Sequence, residues 1–337
     1  MSVLLIGCGR WGRNWAKTLH ALGELGGIVE AGTVLRESLQ DLYPDTPVFE
    51  NMETALDSGP FEAAVVATPV PTHARVASQC LHTGLGVLVE KPMAHSLPEA
   101  KALMALAGSR QQVLAVGHII LHHPALQALQ EMIREGAFGE ILAIRCVRMN
   151  LGRVRNEESA WWSLAPHDLS IVSALLNNAP LRILDTQSHA LLGRTDVPDW
   201  VSVSLASEPG VRVHIESNWL SGMKRHETMV IGTKRIAVFD DALAEGEKLR
   251  IRDIFIAREG DFVQGLDSEP LTSVPLDWQG QDLLTREAVA FLNAVRQGAP
   301  LPNDADNGLA VVRLLSDVQD RLNATRAALP NPEGVLI

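Results

Sequence analysis

Near its start the chain runs Val3-Leu4-Leu5-Ile6, then Gly7-Cys8-Gly9-Arg10-Trp11-Gly12, and then a stretch where Trp11, Trp15, Leu19 and Leu22 recur at three- and four-residue spacing. A short apolar run stopped by glycine reads as a buried strand, and the recurring stripe after it as an amphipathic helix. The glycines between them have separate tasks. The first allows a tight turn, the second lets the backbone approach a ligand, and the third lets helix and strand pack closely. A helix N-terminus beside such a turn offers free N–H groups and a positive dipole, so the ligand it suits is an anion such as a pyrophosphate.

The same alternation continues. Gly27–Glu30, Val48–Phe49, Ala63–Thr68, Val87–Glu90 and Val113–Val116 read as strands, and Pro71–Thr83 as a helix. Ser96 and Glu99 with Pro98 between them make a capping pattern for a helix reaching Ala107. These strands are continuously apolar, as expected for a parallel sheet covered on both faces. The fold class is therefore α/β, with one domain over residues 1–119. Residues 120–337 read differently. Ile141–Met149 is long and alternating, and Val201–Ser207 and Val211–Trp219 flank the turn Glu208-Pro209-Gly210. Met229–Ile231 and Ile236–Phe239 flank Gly232-Thr233-Lys234 in the same way, and helices are expected near 124–135, 168–176, 283–297 and 307–323. This predicts an α+β domain with a mostly antiparallel open sheet. Residues 242–278 give a mixed pattern and no assignment.

Composition narrows the function. A net charge of -11 disfavours nucleic acid and acidic membranes as partners, so an anionic substrate would need a local basic cluster. Met1-Ser2 leads straight into Val3–Ile6 without a basic segment, so no secretory leader is expected, and no apolar run reaches the ~18 residues of a membrane helix. Cys8, Cys80 and Cys146 are scattered and odd in number, which suits a reducing cytoplasm and argues against disulfides or a metal cluster. The one tyrosine, Tyr43, lies early, which excludes a tyrosine acid from the second half.

Glu30 ends the second strand, about 20 residues past the glycines, where an acid bonds ribose hydroxyls. A carboxylate there disfavours an extra phosphate, so the expected cofactor is NAD rather than NADP. The alternative is a solvated strand-end charge, and Arg36 nearby is placed to soften the preference. Lys91, in Glu90-Lys91-Pro92, follows the fifth strand, at a sheet end where ligands bind. It either polarises a substrate hydroxyl or is a surface lysine before a turn. Ala67-Thr68-Pro69 and His73 close the preceding strand, where a nicotinamide would lie. Trp161-Trp162-Ser163-Leu164-Ala165-Pro166-His167-Asp168 is expected to open a helix. There His167 is either a proton-exchange group or a helix-end histidine bonded to backbone, and Asp168 a complement to the dipole.

GCGRWG (7–12), ATP (67–69) with His73, EKP (90–92), VGH (116–118), PHD (166–168) and the closing FLNAVRQGAPLPNDADNGLAVVRLL (291–315) together resemble the glucose–fructose oxidoreductase/inositol dehydrogenase (Gfo/Idh/MocA) family. GCGRWGRNWAKTLHALG, RMNLGRVR (148–155) and WWSLAPHDLSI look nearest to its nucleotide-sugar 3-dehydrogenases. The resemblance implies a Rossmann dinucleotide-binding domain over residues 1–119, and catalysis by Lys91 and His167 facing the reacting carbon. It implies NAD contacts from Gly7, Gly9, Arg10, Trp11, Gly12, Glu30, Ala67, Thr68, Pro69, His73, Glu90, Lys91, Pro92, His118 and Trp162. Arg148, Asn150, Arg153 and Arg155 become candidate contacts to an anionic sugar or nucleotide-sugar substrate, or ordinary polar positions. No metal is implied, and the family's open sheet implies a homo-dimer or homo-tetramer. One position departs from the family. Where relatives carry an aspartate four residues before the histidine, this chain has Ser163, which cannot hold a charge beside an imidazolium.

Three functions are consistent with these residues: a UDP-hexosamine or uronic-acid 3-dehydrogenase, a dehydrogenase of inositol or another neutral polyol, and a non-catalytic NAD-binding regulator. The arginines favour the first, and the presence of Lys91 with His167 speaks against the last.

Overall fold

The computed structural model describes residues 2–151, 154, 158–192, 197–208, 210–259, 262–266, 270–276 and 280–327. Its elements are β1 (Val3–Ile6), α1 (Gly12–Ala21), β2 (Leu25–Val29), α2 (Thr33–Leu42), β3 (Val48–Phe49), α3 (Met52–Ser58), β4 (Ala63–Val66), α4 (His73–His82), β5 (Gly86–Glu90), α5 (Leu97–Arg110) and β6 (Leu114–Gly117). There follow α6 (Pro124–Arg134), β7 (Ile141–Leu151), α7 (Ala160–Leu175), β8 (Leu181–His189), β9 (Trp200–Ser207), β10 (Arg212–Asn218), β11 (Leu220–Gly232) and β12 (Arg235–Asp240). The chain closes with β13 (Leu249–Asp253), β14 (Phe255–Glu259), β15 (Phe262–Leu266), β16 (Thr272–Ser273), α8 (Leu283–Gln297) and α9 (Ala305–Ala327).

Two units result: Met1–His122 with Gly280–Val312, and His123–Gln279 with Arg313–Ile337. The first holds a parallel sheet in the order β3-β2-β1-β4-β5-β6. Its continuous apolarity has a simple cause. Leu4, Ile6, Ala64, Val66, Val87 and Val89 enter one core, while Val3, Leu5, Ala63, Val65 and Leu88 enter another on the opposite face. Strand order reverses between β1 and β4, which opens a crevice at their carboxyl ends.

The sequence division at 119/120 needs correction, because α8 belongs to the first unit. Its Leu284, Ala288, Phe291 and Leu292 pack into the core of Trp15, Leu19 and Leu88. Helical periodicity shows that a stripe must be buried, but not which sheet buries it. Helices α2 and α3 were also unassigned in the sequence. Only Leu39 of α2 and Ala55 of α3 are fully buried, so neither has a full apolar stripe.

The second unit has an eight-stranded sheet, β16-β13-β12-β11-β7-β10-β9-β8, in which only β7 and β10 pair in parallel. β9 and β10 pair antiparallel on either side of Gly210, at φ 102. Pro209 lies outside the described residues. The unassigned stretch supplies β13, which extends the sheet, and β14 with β15, which form a separate two-stranded sheet among the described residues.

Helix α7 begins at Ala160, not near Asp168, with the Ser159 hydroxyl accepting from the Trp162 N–H at 3.4 Å. Pro166 therefore sits inside the helix. It gives up one backbone bond, which the buried apolar face of α7 outweighs. The Pro-His-Asp triplet is thus mid-helix and away from the N-terminal dipole.

Candidate active site

The β1–α1 turn is built around its glycines. Gly7 has φ +86, and a methyl group on it would meet Thr68 Cγ2 at 2.8 Å. A methyl on Gly12 would lie 2.1 Å from the Gly7 carbonyl oxygen. No heavy atom lies within 4 Å of the corresponding position on Gly9, so that backbone presents an open face. Gly7, Gly9, Arg10, Glu30, Ala67, Thr68 and Pro69 all line one cavity of about 770 Å³. Trp11, beside it, keeps 40% of its surface exposed. These features fit an anionic dinucleotide: a close-approach backbone, a helix N-terminus, and a carboxylate at the rim.

Glu30 is held in place by backbone. Its Oε2 accepts from the Cys8 N–H at 3.0 Å and its Oε1 from the Gly32 N–H at 2.9 Å. It is therefore not a free strand-end charge. Arg36 does not compete with it. Its guanidinium donates to the Glu30 and Ala31 carbonyls at 3.1 and 3.0 Å and lies 3.7 Å from Glu50. Asn51, Met52, Arg75 and Gln79 also line the cavity. Sequence reasoning missed them because they come from the start of α3 and from α4 and carry no motif.

His73 acts as a clasp between loops and has no open face toward the cavity. It is 1% exposed, with Nδ1 at 2.9 Å from the Pro92 carbonyl and Nε2 at 2.8 Å from the Thr68 carbonyl. Burial lowers its pKa, against the pull of those two carbonyls. The Lys91–Pro92 bond is cis. Through His73, the Lys91–Pro92 turn is tied to Thr68 at the cavity wall. Lys91 itself is half-buried, and its charge is felt by Glu90, His73 and His118. Glu90 is gripped from α1: Trp15 Nε1 donates to its Oε1 at 2.7 Å, and the Trp11 indole also bonds it. Both are supporting roles. His118 is fully enclosed, with neither ring nitrogen hydrogen-bonded, and burial pulls its pKa down to about 3.

In the second unit, His167 is half-buried on α7. The Trp162 indole N–H donates to Gln319 Oε1 at 3.2 Å, which ties α7 to α9. Ser163 is buried. Arg148 departs from expectation. It is 4% exposed, with Nε donating to Asp168 Oδ1 at 3.0 Å and Nη1 at 3.8 Å from Asp241. His226 Nδ1 lies 2.6 Å from Asp241 in turn. Burial raises the Asp241 pKa, but the His226 hydrogen bond and the Arg148 charge bring it below the usual range. Arg148 is thus part of an internal charge cluster rather than a surface anion contact. Asp168 is fully buried, so it neutralises Arg148 and leaves the helix dipole alone. Asn150 is half-buried on the same strand, while Arg153 and Arg155 lie outside the described residues. Among the described residues no group of three His, Cys, Asp or Glu side chains is placed to hold a metal, and no helix is long and apolar enough to cross a membrane.

Comparison with known proteins agrees with this geometry. The profile of an oxidoreductase family with an NAD-binding Rossmann fold matches residues 1–118, and that of the GFO/IDH/MocA C-terminal domain matches 126–238. The chain belongs to the GFO/IDH/MocA oxidoreductase family. It is 25% identical to UDP-N-acetylglucosamine 3-dehydrogenase of Acidithiobacillus ferrooxidans over 95% of this chain and 96% of that one. The solved structure of that enzyme superposes with a TM-score of 0.81, covering 97% of this chain and 98% of the other. Inositol 2-dehydrogenase of Rhizobium meliloti is 22% identical over 92% of this chain and 93% of its own length. As in other GFO/IDH/MocA proteins, the first domain is an NAD-binding Rossmann domain and the chain is an oxidoreductase.

Proposed function

We propose that this protein oxidises C3 of a UDP-linked N-acetylhexosamine, or of its uronic acid, with Lys91 as the group that takes the hydroxyl proton. The observation that carries this reading is the His73 clasp, which ties the Lys91–Pro92 turn to Thr68 in the wall of the dinucleotide cavity. The full-length likeness to a UDP-N-acetylglucosamine 3-dehydrogenase supports the choice of substrate. NAD, when bound, supplies the hydride acceptor. Gly7, Gly9 and Gly12 with the N-terminus of α1 would hold its pyrophosphate, and Glu30 its ribose. Lys91 in its neutral form accepts the proton from the hydroxyl whose carbon loses hydride. His167 is assigned as the proton-exchange group of the second unit, and Asn150 and Arg155 as substrate contacts. Assembly as a homo-dimer or homo-tetramer is proposed on family grounds alone.

A second reading, oxidation of a neutral polyol, gains support from one observation. The guanidinium of Arg148 is committed to Asp168 and Asp241, which removes one of the cations that favoured an anionic substrate. The test is NADH formation with a panel of UDP-hexosamines, their uronic acids, inositols and free sugars, for the natural protein and Lys91→Met. Turnover of a UDP-sugar that disappears in Lys91→Met is expected. Turnover confined to neutral polyols would select the second reading. NAD binding without turnover of any panel member would count against both.

A further inference from the structure

Near Glu90 the first unit buries a second carboxyl group that has no part in the reaction outlined above. Glu287, on α8, is 1% exposed. Its Oε1 accepts one hydrogen bond, from Asn303 Nδ2 at 3.0 Å, and its Oε2 has no partner. It lies close enough to Glu90 for the two carboxyls to repel. Their surroundings differ sharply. Burial raises the Glu90 pKa too, but Glu90 accepts from Trp15 Nε1 at 2.7 Å, from the Trp11 indole and from the Lys91 backbone N–H at 3.3 Å, and it feels the Lys91 charge, all of which favour its ionised form. A methyl group on Gly117 would sit 2.9 Å from Glu90 Oε2, so a side chain there would displace this carboxylate.

Donor inventory decides which carboxyl is ionised. An ionised carboxylate is acceptor-only and is stabilised by N–H donors and nearby cations, whereas a buried carboxyl with a single neutral donor is more stable protonated. Two like charges at such a site do not both persist. We propose that Glu90 and Glu287 form a carboxyl pair holding one proton, on Glu287, and that the fixed negative charge left on Glu90 sets the proton affinity of the Lys91 amine. Glu90 is thus a positioning residue acting through Lys91, and the functional half of the inference rests on the proposed role of Lys91 as the base.

The other titratable neighbours do not supply this charge. His73 on α4, and His118 and His122 after β6, are buried histidines that stay neutral at neutral pH. Arg286 on α8 is felt at His122. The proton on Glu287 matters because an ionised Glu287 would set a second negative charge against Glu90 in the same buried site. Trp15 lies on α1, and Trp11 lies one turn earlier at the helix cap, in the glycine turn itself. The same helix start that would receive a pyrophosphate therefore fixes this charge.

Two readouts test the proposal. Infrared spectra at neutral pH should contain the C=O stretch of a protonated carboxyl that is lost in Glu287→Gln and kept in Glu90→Gln. In the pH profile of kcat/KM for alcohol oxidation, Glu90→Gln should move the acidic limb down by about one unit or more, because loss of a neighbouring negative charge lowers the pKa of an amine. Absence of the band from the natural protein, or its loss in Glu90→Gln alone, overturns the charge split. An unmoved acidic limb in Glu90→Gln overturns the link to Lys91. If Lys91→Met keeps turning over, it is the catalytic reading of Lys91 that fails, and the infrared band still decides where the proton resides.

Discussion

Acid should weaken the first unit through two buried imidazoles, and the size of the effect follows from the structure. His118 and His122 are 0% and 2% exposed. Burial brings His118 to about 3. Burial also brings His122 to about 4, opposed by its bond to Asn303 and aided by the Arg286 charge. The tautomer of His122 is fixed by its neighbour. Asn303 spends its amide N–H groups on the Val116 carbonyl at 2.7 Å and on Glu287 Oε1 at 3.0 Å, so its Oδ1 must accept from His122 Nε2 at 3.0 Å. Both folded pKa values lie below the ordinary imidazole value of about 6.5. Their stabilising contribution is therefore present above that value and is lost as pH falls toward 4 and then 3. Linkage gives a loss of roughly 2 kcal/mol per histidine between pH 7 and pH 5. Together that is roughly 4 kcal/mol, a large share of the ~5–15 kcal/mol that holds a typical domain folded. Glu287, whose pKa burial and Glu90 raise, works in the opposite direction, so a comparison of variants isolates the histidine. Chemical denaturation of the natural protein and of His122→Gln, which can still donate to Asn303, should show the variant losing about 2 kcal/mol less on going from pH 7 to pH 5. Equal losses would refute the assignment of His122 as a buried neutral imidazole.

Gly12→Ala places a methyl 2.1 Å from a backbone oxygen. It should abolish detectable NAD binding by calorimetry and lower the melting temperature. Glu30→Ala removes the acceptor for the Cys8 and Gly32 N–H groups. It should narrow the preference for NAD over NADP by about tenfold or more, which steady-state kinetics with each cofactor would read. Asp168→Ala strands the Arg148 guanidinium inside the second unit. It should cost about 3–5 kcal/mol in a urea titration. A loss below about 1 kcal/mol would show that the buried pair is dispensable.

Much of this was legible in the sequence because local chemistry determined it. The glycine turn needs glycine for reasons of φ and contact distance, and Glu30 lies where the second strand must end. The doubly covered sheet shows in Leu4 and Leu5 being equally apolar while facing opposite cores. What the sequence hid depends on distant partners. Nothing local marks α8 as packing on the first sheet rather than the second. RMNLGRVR reads as a basic segment, yet the strand pleat turns Arg148 inward onto Asp168, 20 residues away. An interior proline gives up a hydrogen bond, so Pro166 hides the continuity of α7, and Ser159, the true cap, has no distinctive neighbours. His73 and Glu90 stand in motifs that the sequence shows, but the bond of His73 to Pro92 and the grip of Trp15 on Glu90 depend on partners far along the chain.

The central claim concerns one carbon–hydrogen bond, so it is best tested there. UDP-N-acetylglucosamine carrying deuterium at C3 would be incubated with the protein and NAD, and the mass of the nicotinamide product measured alongside the rate. The account predicts that the deuterium appears in the reduced nicotinamide, that the labelled substrate turns over more slowly, and that Lys91→Met forms no labelled product. Reduced nicotinamide without deuterium, with the label still on the sugar, would show that a different bond is broken and would contradict the account.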